Sequence, residues 1–103
     1  MAEIARWTTP IITYKPSAVE SDSIAEIYLV IKQGGHTLVT KALEDATITD
    51  GRFAWQLTQE ETSVLASKRN AIIQIDYKAN SGMRYTTVPR QYDISESGIN
   101  EVI

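Results

Sequence analysis

Apolar residues alternate with polar ones in short runs along most of the chain, and that two-residue period is the mark of half-buried β-strands. Across residues 25–33, Ile27, Leu29 and Ile31 share one face of a run rich in β-branched and aromatic residues. Gly34-Gly35 follows, and then a second strand pattern from His36 to Lys41, so the pair predicts a hairpin. Another hairpin is predicted by Ala46-Thr47-Ile48-Thr49, the turn Asp50-Gly51, and the run Arg52 to Leu57. Asp-Gly suits a two-residue turn because both central positions need positive φ. In the returning strand Phe53, Trp55 and Leu57 alternate with Arg52, Ala54 and Gln56, the cleanest amphipathic strand in the sequence.

The period then changes. Thr58, with Glu61 three residues later, has the capping-box pattern and predicts one short helical turn near residues 58–66, laying Val64 and Leu65 against the sheets. Beyond the loop Lys68-Arg69-Asn70, Ile73, Ile75 and Tyr77 predict the inward face of a further strand. Asn80-Ser81-Gly82 predicts a turn into Met83 to Val88, and Pro89 marks an edge or a bend there. Tyr92 and Ile94 continue the pattern, and the apolar tail Gly98 to Ile103 reads as a last strand of the same fold. At the other end, Thr9 to Tyr14 reads as a first, proline-marked edge strand, followed by a polar loop over residues 15–23. About seven short strands without βαβ alternation predict an all-β, immunoglobulin-like antiparallel β-sandwich. Residues 1–23 form an N-terminal arm and edge strand, residues 24–103 the sandwich, and the whole a single domain.

Composition narrows the chemistry. With 103 residues the chain suits one domain, and a hydrophobic fraction of 43% beside 22% charged residues favours a packed core over disorder. The absence of cysteine excludes disulfides, thiolate catalysis and cysteine-type zinc sites. Net charge is −3, and the densest basic cluster is Lys68-Arg69, which argues against a nucleic-acid backbone or an anionic membrane as partner. The N-terminal residues lack the basic-then-apolar pattern of a signal peptide, and the apolar stretch Ile27 to Ile31 is too short to span a bilayer. The expected location is the cytoplasm.

No constellation of catalytic residues emerges from the sequence. His36, the single histidine, follows the glycine pair with no neighbour to orient it, so an exposed turn residue is the plain reading. Glu60-Glu61 sit side by side, but adjacent helical residues diverge by about 100°, and a helix N-terminus favours both charges. Asp45, Asp50, Asp76 and Asp93 lie in separate segments without calcium-loop spacing. Nucleophile-elbow, phosphate-loop and dinucleotide motifs are missing. The expectation is therefore a protein that is not an enzyme and holds no metal or cofactor. Trp55 and Tyr77 fall on inward faces, which leaves Trp7 as the tryptophan expected to be exposed. Two regions suit partner contact: the N-terminal arm with Trp7 and Tyr14, and the tail with Ile99, Val102 and Ile103.

Three segments carry a family resemblance: Ile27 to Gly35, Leu57-Thr58-Gln59-Glu60-Glu61-Thr62, and Ile72-Ile73-Gln74-Ile75-Asp76-Tyr77. With the ending Gly98 to Ile103, they resemble short β-sandwich proteins encoded among the structural genes, in the tail and baseplate region, of phages and prophages of Gram-positive bacteria. The similarity covers residues 24–103, and residues 1–23 match no pattern of that group. The resemblance implies a virion-associated structural or adaptor protein that works by protein–protein contact, with itself as a homo-oligomer or with other virion components. It places the chain in a virion, or in the host cytoplasm during assembly, and carries over no catalytic or ligand-binding residue. The alternative from another class is an immunoglobulin-like recognition module for a carbohydrate or cell-surface ligand.

Overall fold

The computed structural model describes residues 2–103; Met1, counted in the N-terminal arm, lies outside the described residues. Nine strands form two sheets. The larger holds β1 (Ala2–Ala5), β3 (Ile24–Gln33), β4 (His36–Lys41), β7 (Asn70–Ala79), β8 (Arg84–Thr86) and β9 (Arg90–Ser95), in the order β1-β9-β7-β3-β4 with β8 also on β7. The smaller is β2-β6-β5, from β2 (Ile11–Tyr14), β6 (Arg52–Gln56) and β5 (Thr47–Thr49). Among the described residues the one α-helix, α1 (Gln59–Ser63), bridges β6 to β7.

This connectivity follows the immunoglobulin pattern, with β2, β6 and β5 in the places of strands B, E and D, and β9, β7, β3 and β4 in those of G, F, C and C′. The all-β sandwich read from the sequence is therefore present, with nine strands rather than about seven. The two additional features have physical causes. β1 is a short strand that pairs parallel with β9, aligning Ile4 with Ile94, so its partner lies at the far end of the chain. Beyond Val88, Pro89 ends the strand pattern, and β8 and β9 become separate strands along one edge of β7.

Strand periodicity sets the core. Ile27, Leu29 and Ile31 of β3 are fully buried and oppose Tyr77, Ile75 and Ile73 of β7. From the other sheet, Phe53 and Trp55 are also fully buried, with ring centroids 5.9 Å apart. The Trp55 indole N–H donates to the Ala42 carbonyl at 2.9 Å, so its one polar atom is satisfied inside the core. Ile4 and Ile12 join this cluster, which ties both strands of the N-terminal segment into the sandwich.

Turn chemistry agrees with the sequence. Gly34 and Gly35 both have positive φ (60° and 81°), as do Asp50 and Gly51 (52° and 75°), the requirement of tight hairpin turns. Between β3 and β4 the register slips beside Ile31 and Lys32, so Leu38 has no opposite residue and points outward. The capping box forms: Glu61 N–H donates to Thr58 Oγ1 at 3.1 Å, and Thr58 N–H donates to Glu61 Oε1 at 2.8 Å. Leu65 is buried as expected, whereas Val64, the residue that ends α1, turns outward and is 54% exposed.

Candidate functional site

The residues expected to meet a partner fall in two places. Trp7 occupies the turn after β1, with φ 63°, and is half-buried rather than exposed. The segment around it is tied to α1: the Arg6 guanidinium donates to the Ser63 carbonyl at 2.8 Å, and Thr8 N–H donates to Thr62 Oγ1 at 3.1 Å. Arg6 also pairs with Glu96 at 2.8 Å. The Trp7 indole N–H is buried without an acceptor among the described residues.

The tail also reaches α1, and it does so without forming a strand. Ile103 N–H donates to Gln59 Oε1 at 2.9 Å, and Gln59 Nε2 donates back to the Ile103 carbonyl at 3.1 Å. A single side chain thus stands in for a strand partner. The apolar side chains of the tail stay in solvent: Ile99 is 51%, Val102 54% and Ile103 81% exposed. The expectation of a last strand within the sandwich is corrected here, because β1 already occupies the edge of β9 that such a strand would need.

Tyr14 lies apart from these, at the end of β2. It packs against Tyr77 with centroids 6.1 Å apart, and Tyr77 stacks on Tyr85 at 5.1 Å. Burial, and then the neighbouring Tyr77 hydroxyl, push the Tyr14 phenol up to about 12, so it stays neutral at ordinary pH.

Tyr14 lines a cleft of about 530 Å³ between the edge of the smaller sheet and the larger sheet. The cleft opens where Pro89 separates β8 from β9. Thr87 pins the break to β7, its Oγ1 accepting from Ile75 N–H at 3.0 Å and its own N–H donating to the Ile75 carbonyl at 2.9 Å. Val88 then projects outward, 83% exposed. Ile12, Ile73 and Ile75 contribute apolar lining, Tyr14 and Tyr92 aromatic lining, and Lys15, Arg52 and Arg90 positive charge. Sequence reading missed this grouping because its three cations come from three separated elements. The only signal was Pro89 interrupting a strand.

His36 is exposed at the start of β4, next to the glycine turn. Glu61 is engaged by its capping box and by Lys41 at 2.8 Å. Among the described residues, no group of three or more His, Cys, Asp or Glu is placed to hold a metal, and no helix is long and apolar enough to cross a membrane. A smaller notch of about 210 Å³ is lined by Tyr28 with Glu26, Asp76, Lys78 and Arg84. The chain matches no protein-family model and no curated protein at a significant level.

Proposed function

We propose that this protein is a non-enzymatic structural or adaptor component of a phage or prophage virion, from the tail or baseplate region, working by protein–protein contact. The observation that carries the contact reading is the exposed apolar tail, where Ile99, Val102 and Ile103 sit in solvent on a backbone held by Gln59. Exposed apolar side chains gathered on one segment favour burial against a partner. The resemblance of residues 24–103 to small tail-region proteins supports the virion setting. Co-expression of the tagged chain with tail and baseplate structural proteins of phages of Gram-positive bacteria, followed by purification, tests the proposal. A stoichiometric complex is the expected result. A chain that purifies alone and monomeric from that set would rule the reading out.

A second reading, recognition of a carbohydrate or cell-surface ligand, is favoured by the Tyr28 notch. It offers an aromatic ring 40% exposed beside two carboxylates and two cations, the mixture that stacks on a sugar and bonds its hydroxyls. Binding on a glycan array that Tyr28→Ala abolishes distinguishes it from the first reading.

A further inference from the structure

The basic cleft differs in charge from the rest of the molecule. The chain carries 13 acidic against 10 basic residues, yet the cleft lining includes Lys15, Arg52 and Arg90 and no Asp or Glu. None of the three forms an ion pair among the described residues, where the pairs present are Arg6–Glu96 and Lys41–Glu61. Three unneutralised cations around an apolar floor favour an occupant that brings both carboxylates and apolar side chains. The neutral Tyr14 phenol adds no negative charge of its own.

One wall of the cleft is also an open sheet edge. β2 pairs only with β6, and the Leu57 N–H donates to the Pro10 carbonyl at 2.9 Å at the end of that ladder. Antiparallel ladders alternate, so Ile12 and Tyr14 share bonds with β6 while the backbone groups of Ile11 and Thr13 turn to the open side. An open edge of this kind accepts an extended chain by strand addition.

We propose that the cleft is a docking groove for an extended acidic peptide segment of a partner protein, which adds to the free edge of β2 and sets its carboxylates against Lys15, Arg52 and Arg90. The groove deepens the protein-contact reading and rests on it, since it names the chemistry of the partner. The tail of a second copy is a poorer fit, because residues 98–103 carry only one acidic side chain, Glu101.

The test is fluorescence anisotropy on the isolated full chain with a labelled short peptide alternating valine and glutamate. Saturable binding is expected, weakened by added salt and at least tenfold weaker for the same peptide with glutamine in place of glutamate. Arg52→Glu with Arg90→Glu should weaken it at least tenfold, and Arg52→Gln with Arg90→Gln serves if the reversal disturbs folding. Thr13→Pro, which removes an outward N–H from an edge strand, should weaken it as well. Failure of the valine–glutamate peptide to bind, equal binding of the glutamine peptide, or indifference to both arginine pairs overturns the proposal. Equally tight binding of a peptide spanning residues 98–103 also overturns it, in favour of a second copy. Because the peptide assay needs no natural partner, a failed groove with a co-purifying virion protein leaves the broader reading intact.

Discussion

Gln33 and Ala66 are joined by two hydrogen bonds: Gln33 Nε2 donates to the Ala66 carbonyl at 2.8 Å, and Ala66 N–H donates to Gln33 Oε1 at 2.7 Å. The Gln33 side chain is buried at the end of β3, so it extends the sheet by one amide and fixes the path of the α1–β7 loop. Gln59 makes the same two-bond arrangement with Ile103, but in solvent. Gln33→Leu removes both bonds to the exposed Ala66, and each lost bond costs about 0.5–1.5 kcal/mol. Urea denaturation should show that loss, whereas Gln59→Leu at the exposed pair should shift the midpoint far less.

The capping box makes a separate prediction. Thr58→Ala removes the acceptor for Glu61 N–H and should destabilise the domain by about 1 kcal/mol. Thr58→Ser retains the hydroxyl and should restore most of that stability. Thermal melts of the two variants check this.

Alkaline titration isolates Tyr14. Its phenol rises from an ordinary value of 10.0 to about 12 in the folded protein, through burial first and then the Tyr77 hydroxyl. In that window the folded state holds a proton that the unfolded chain has released. Tyr14 therefore contributes fully below pH 10, and its contribution falls as pH rises toward about 12. Stability measured against pH should drop less steeply over that range in Tyr14→Phe than in the parent.

Acid affects the other end of the molecule. Hydrogen bonding from Arg6, and then from Ser67, holds the Glu96 carboxyl below its ordinary value of 4.5. Its contribution is present above that value and is lost as pH falls through the lowered one. Protection of the β1 amides against hydrogen exchange, taken relative to the intrinsic rate at each pH, should fall as acid protonates Glu96, and Arg6→Ala should show the lower protection already at neutral pH. Unchanged protection in Arg6→Ala would show that the Arg6 contacts do not hold this segment.

What was legible in the sequence was local. Ile27, Leu29 and Ile31 declare their face by a two-residue period, Asp50-Gly51 declares its turn by the φ angles it permits, and Thr58 with Glu61 declares a helix start. The features that escaped depend on distant partners. The four residues of β1 form a strand because β9 offers a parallel edge some ninety positions later, and the tail finds no edge because β1 holds it. Lys15, Arg52 and Arg90 line one cleft only after the two sheets close on each other, and Trp7 is half-buried because Arg6 and Thr8 fasten its turn to α1. Val64 turns outward for a local reason: it is the C-cap at which α1 ends.

The central claim is that this domain works by protein contact through its exposed tail. The most direct measurement is sedimentation velocity on the tagged full chain and on a version truncated after Gly98, each co-expressed with tail and baseplate proteins of the phage class proposed above. The account predicts that the full chain sediments as a defined complex, with itself or with one of those proteins, and that the truncated chain is a folded monomer. Two folded monomers would contradict protein contact altogether, and a complex that survives the truncation unchanged would contradict contact through the tail and leave the basic cleft to carry it.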